Sequence, residues 1–94
     1  MEDLVRAHVI ISGRVQGVCF RMETRGAVKG LGGVRGWVRN RRDGTVEAIF
    51  EGASGQVQKI LAWCRKGPAA AAVSDVAVEW QPYAGEFGDF VITY

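Results

Sequence analysis

Two hydrophobic periods alternate along this chain, and their order restricts its topology more than any single motif. Between Arg6 and Ile11 apolar residues recur at every second position: Ala7, Val9 and Ile11 share one side, with Arg6, His8 and Ile10 on the other. From Phe20 the period lengthens. Phe20, Thr24, Ala27, Val28 and Leu31 form one helical stripe, which Gly32-Gly33 ends. Val34 to Asn40 returns to a strand, Arg41-Arg42-Asp43-Gly44 carries the Asp-Gly turn signal, and Thr45 to Phe50 alternates as Val46, Ala48, Phe50. A second helix is predicted over Ser54 to Lys66, with Ser54 as N-cap. Val57, Ile60, Leu61 and Cys64 are its buried stripe, and Gly67-Pro68 its stop. Val76, Val78 and Trp80 mark a fourth strand; Phe90, Ile92 and Tyr94 mark a short fifth.

The order is β-α-β-β-α-β with a tail strand. It predicts an α+β, ferredoxin-like split βαβ sandwich, two helices on one face of an antiparallel sheet. Each crossover should be right-handed. No linker, repeat or low-complexity stretch divides the chain, so residues 1–94 read as one domain. The topology also makes a statement about position. Strands one and two run parallel with strand three between them, so their C-terminal ends share an edge. The glycine loop after strand one and Asn40 at the end of strand two should meet there.

Charge concentrates in the same region. Arg14, Arg21, Arg25, Arg35, Arg39, Arg41, Arg42 and Lys29 stand against Glu23 alone between positions 14 and 42, although the whole chain carries only +2. Such a cluster is either a solvated basic face or an anion site for phosphate or nucleic acid. The chain has no apolar run of the roughly 18 residues a membrane span needs. Its acidic start, Met1-Glu2-Asp3, is unlike a leader peptide, so a cytoplasmic location is expected. Cys19 and Cys64 read as two reduced thiols, though spacing alone leaves a disulfide open. With His8 the one histidine, a zinc site lacks ligands.

The segment Gly13-Arg14-Val15-Gln16-Gly17-Val18-Cys19-Phe20-Arg21 runs from strand to helix. Its glycines permit positive φ, so successive N–H groups can converge as an anion nest, and the helix N-terminus adds more. Arg21 in the first helical turn can offer a planar fork to two phosphate oxygens. Two phosphate signatures are missing: no Lys stands in the loop as a Walker motif requires, and Cys19 is only two positions before Arg21, too close for a phosphatase thiolate. His8 belongs mid-strand, away from the loop, and is a poor candidate base.

Gly13 to Arg21 resembles the first signature of the acylphosphatase family. Gly36-Trp37-Val38-Arg39-Asn40, with Gly44, Val46 and Gly52 at their spacings, resembles the second. The resemblance extends through Gly67-Pro68 and Val76-Val78-Trp80 to the closing Phe90–Tyr94 segment, nearly the whole chain. It implies a carboxyl-phosphate substrate, with Arg21 and the amides of Gln16, Gly17, Val18, Cys19 and Phe20 binding the phosphoryl group. It implies that Asn40 orients the attacking water and that a substrate oxygen takes its proton. The chain departs from the pattern at Gly26 and Gly30, which weaken a helix by about 1 kcal/mol each.

The residues suit this chemistry. A carboxylate leaves without a general acid, and phosphoryl transfer then asks for positioning and charge stabilisation. Neither cofactor nor metal is expected. The expected partners are a small acyl phosphate and, as a bound anion, inorganic phosphate or sulfate; the chain reads as a monomer that binds neither nucleic acid nor membrane. An RNA-binding module of the same topology would carry an aromatic run in strand three, and Thr45-Val46-Glu47-Ala48-Ile49-Phe50 lacks it. Similar domains also occur inside larger maturation proteins; ending at Tyr94, this chain reads instead as free-standing.

Overall fold

The computed structural model describes residues 2–94, so Met1 of the acidic start lies outside the described residues. β1 (Leu4–Arg14), α1 (Phe20–Leu31), β2 (Val34–Asn40), β3 (Val46–Ala53), α2 (Ser54–Lys66), β4 (Ala72–Gln81) and β5 (Phe90–Ile92) follow in order. The sheet order is β4-β1-β3-β2-β5. Four strands pair antiparallel; β5 joins the outer edge of β2 in parallel, which makes the five-stranded sheet mixed. This is the split βαβ sandwich that the periodicity predicts, and β1 and β2 flank β3 as expected.

One face of the sheet carries the core. Ala7, Val9 and Ile11 of β1, Val38 of β2, and Val46, Ala48 and Phe50 of β3 are fully buried. They pack with Phe20, Thr24 and Val28 of α1 and Val57, Ile60, Leu61 and Cys64 of α2, the two stripes read from the periodicity. Phe50 stacks on Phe90 at 5.4 Å, which fastens β5 to the same core. Gly36 lies at φ 142°, and a Cβ there would run into the Ile49 carbonyl, so glycine lets β2 approach β3. α1 is continuous through Gly26 and Gly30, whose positions face open space. Its buried stripe outweighs their poor propensity.

Several boundaries differ from expectation, each for a tertiary reason. β1 does not break at Gly13. It continues to Arg14 because β4 pairs alongside through a register shift at Ser12/Gly13, where a Cβ on Gly13 would meet the Ala72 carbonyl. Ser54 is the first residue of α2 rather than its cap. Ala53 holds the cap position without a side-chain bond, and Glu2 supplies the acceptor instead, taking the Gly55 N–H at 2.8 Å. Tyr94 lies beyond β5 and is 90% exposed. Trp80 sits on the core side, paired with Ala7, but at the sheet edge it remains half exposed.

The opposite face is less open than alternation suggests. Glu47, Ile49 and Glu51 are buried there. Part of the cover is the chain after β4: the Ala84 N–H donates to Glu51 at 2.8 Å, and the Arg6 guanidinium lies over the Phe87 ring. No helix among the described residues is long and apolar enough to cross a membrane.

Candidate active site

β1 and β2 end at one sheet edge, and α1 begins there. A period of two places Asn40 on the same face as Gly36 and the buried Val38, the face the helices cover. Arg39 consequently projects to the other side. Asn40 is therefore delivered to the α1 N-terminus by strand alternation alone.

The loop between β1 and α1 has the backbone an anion nest requires. Gly17 has φ 73° and Cys19 φ 60°, with Val18 on the negative side between them. Cys19 is the one non-glycine residue with positive φ among those described. It is the residue immediately before α1, and its left-handed conformation opposes the preference of an L-residue by about 1–2 kcal/mol. No amide from Gln16 to Met22 donates to a backbone carbonyl among the described residues; the first α1 bond runs from Glu23 N–H to the Cys19 carbonyl at 3.0 Å. A row of free donors and the positive end of a helix dipole thus coincide.

A cleft of about 360 Å³ opens at this edge, and Gly17, Cys19, Phe20, Arg21 and Asn40 all line it. Arg21 enters no ion pair among the described residues; its guanidinium rests on the Tyr94 ring at 5.2 Å. The expected convergence of loop, Arg21 and Asn40 is thus present in the geometry.

Other loop side chains point elsewhere. The Gln16 amide donates to the carbonyls of Arg41 (2.7 Å) and Thr45 (2.9 Å), bracing the loop against the β2–β3 turn. Val18 packs on the core, and the Phe20 ring meets Trp63 edge-to-face at 5.7 Å. What these three can give an anion is the backbone N–H. The bracing role of Gln16 is invisible in sequence, since it spans 25 positions. Tyr94 was legible only as a strand residue; nothing in its spacing pointed to the cleft.

His8 is remote from the cleft. On the opposite sheet face its Nε2 lies 2.6 Å from Glu47 Oε2, while Arg39 Nε donates to Oε1 at 2.6 Å. Burial pushes the Glu47 carboxyl up, but these hydrogen bonds and the Arg39 charge outweigh it and hold it below its usual value. Both thiols are free: Cys19 is exposed at the cleft, and burial pushes Cys64 up to about 12. Among the described residues no three His, Cys, Asp or Glu side chains gather as metal ligands.

A family model described as acylphosphatase matches residues 7–92. An acylphosphatase of Pelotomaculum thermopropionicum is 58% identical over 89 residues, covering 95% of this chain and 96% of its own. The solved acylphosphatase of Coxiella burnetii superimposes with a TM-score of 0.90 at 34% identity, over 97% of this chain and 94% of that one. Full-length HypF contains the same fold, with a TM-score of 0.84 at 18% identity, but this chain spans only 12% of it. A match of this length and identity, on a fold whose loop and second strand converge as both signatures demand, leaves one assignment: the chain belongs to the acylphosphatase family.

Proposed function

We propose that this protein hydrolyses the carboxyl-phosphate bond of small acyl phosphates, giving a carboxylate and inorganic phosphate, without a metal or a covalent intermediate. One observation carries the reading: Arg21, Asn40 and the loop residues Gly17, Cys19 and Phe20 line a single cleft, beside a stretch of amides with no backbone partner. The loop N–H groups from Gln16 to Arg21 and the Arg21 fork hold the phosphoryl oxygens and stabilise the charge that builds on them. Asn40 accepts from water through its carbonyl and donates through its amide, which aims the water at phosphorus. The P–O bond to the acyl group breaks as the new P–O bond forms. The electron pair leaves on the carboxylate, and a phosphoryl oxygen takes the water's proton.

The protein acts on this reading as a monomer in the cytoplasm. Inorganic phosphate or sulfate competes with substrate, because the nest recognises phosphoryl oxygens rather than the acyl group. The test is turnover of benzoyl phosphate by wild type, Arg21→Ala and Arg21→Lys. Both variants lose most activity, Lys because it keeps the charge but not the bidentate fork. Near-normal turnover by Arg21→Ala overturns the assignment, as does inactivation by EDTA that Mg²⁺ reverses.

A further inference from the structure

In the proposed hydrolysis the loop, Arg21 and Asn40 serve the phosphoryl group and the water. The rest of the cleft wall is apolar: Val15, Met22, Ile92 and Tyr94. Two of these are also unusually exposed for their type, Met22 at 62% and Tyr94 at 90%. Neither is a stray surface residue. Met22 follows Arg21 in the first turn of α1, and Tyr94 is carried to the cleft because the Thr93 N–H is pinned to the Val38 carbonyl at 2.9 Å. The Arg21 guanidinium carbon lies over the Tyr94 ring, 5.2 Å from its centroid, so the ring stands beside the group that would take the anion.

Asn40, assigned to water, also borders a second groove, which it shares with Arg39, Arg41, Arg42, Asp43 and Tyr94. In-line displacement sends the leaving carboxylate away from that water. An acyl group held in the same cleft as the phosphoryl group therefore meets this apolar wall.

We propose that Met22 and Tyr94 form an acyl-group subsite that favours flat or bulky apolar acyl phosphates, such as aryl or branched-chain ones, over acetyl phosphate. The contact is apolar and partly open, so its expected size is roughly five-fold in kcat/KM per side chain. Both positions are exposed, and Ala at position 22 suits a helix, so the variants should fold.

This inference rests on the proposed hydrolysis, and its test separates the two. The kcat/KM values for benzoyl and acetyl phosphate are measured for wild type, Met22→Ala, Tyr94→Phe and Tyr94→Ala. Comparing the benzoyl-to-acetyl ratio between proteins cancels the intrinsic reactivity of the substrates. The ratio should fall roughly five-fold in Met22→Ala and Tyr94→Ala and hold in Tyr94→Phe, and inhibition by inorganic phosphate should be unchanged in Met22→Ala. An unchanged ratio in both Ala variants overturns the subsite. So does an equal loss for both substrates with weakened phosphate inhibition, because Tyr94 would then act only by steadying Arg21. Failure of the wild type to turn over either substrate instead overturns the hydrolase reading itself.

Discussion

The side-chain amide of Gln16 donates to the Arg41 carbonyl at 2.7 Å, joining the loop before α1 to the turn directly after Asn40. A second bond to the Thr45 carbonyl, at 2.9 Å, closes the brace on the other arm of the hairpin. The spacing between the amide nest and Asn40 is therefore fixed by one side chain and not only by the sheet.

Gln16→Ala should consequently lower both stability and turnover. The loss of two hydrogen bonds costs about 1–2 kcal/mol, to be read from urea unfolding. Gln16→Glu should be worse, since a carboxylate faces two carbonyl oxygens with nothing to donate. Wild-type stability and kcat in Gln16→Glu would mean that the sheet alone sets the site.

Gly17 sits at φ 73°, and a Cβ there meets nothing within 4 Å. The penalty for a side chain is thus torsional rather than steric, about 1–2 kcal/mol. Gly17→Val should lose that much stability and, by shifting the nest, weaken phosphate binding measured by calorimetry. Cys19→Gly should change stability in the opposite direction, because it relieves the same strain at φ 60°. Gly17→Val with wild-type stability and phosphate affinity would contradict the strain argument.

Glu47 gives a pH signature. Its carboxyl is held below the usual value near 4.5 when folded, so the unfolded chain binds a proton more readily. Its contribution is complete above that usual value and is lost as pH falls through the lowered one. Glu47→Gln should cost about 2 kcal/mol at neutral pH, and its deficit against wild type should shrink in acid. A deficit that stays constant from pH 7 to pH 3 would show that the carboxylate charge beside Arg39 contributes nothing.

The two thiols should separate cleanly. Cys64 is fully buried, with its thiol pushed up to about 12, whereas Cys19 is exposed at the cleft. Iodoacetamide should label Cys19 alone in the native protein and both in urea. Phosphate should slow the labelling of Cys19, because the proposed anion site is on the same loop. Equal rates with and without saturating phosphate would place the anion elsewhere.

How much of this was legible in the sequence depends on the range of the interaction involved. β2, α1 and α2 have their predicted bounds because their signals are local: Gly32-Gly33 and Gly67-Pro68 stop helices, and apolar stripes set the faces. The convergence of Asn40 with the loop was also legible, since it follows from topology. The misses are contacts between distant segments. Glu2 caps α2 across 53 positions, and β4 carries β1 past Gly13. The burial of Ile49 and Glu51 and the turning of Tyr94 onto Arg21 belong to the same class. No period or turn rule encodes such pairings.

Asn40 should separate binding from turnover. It is assigned to water rather than to the phosphoryl group, so its removal leaves the loop amides and Arg21 in place. Asn40→Ala should keep phosphate affinity within a few-fold while kcat falls steeply, the pattern of an interaction made mainly in the transition state. The fold should survive, since Asn40 is a strand-end residue whose backbone pairs with Val46 whatever its side chain. Asn40→Asp sharpens the test. It is nearly isosteric and can still accept from water, but it loses the amide donor and brings a negative charge to the cleft. Repulsion should then weaken phosphate binding in Asp where Ala does not. Phosphate calorimetry and steady-state kinetics on the three proteins decide the matter. If Asn40→Ala loses phosphate as completely as Arg21→Ala does, Asn40 grips the anion and the water must be oriented by something else.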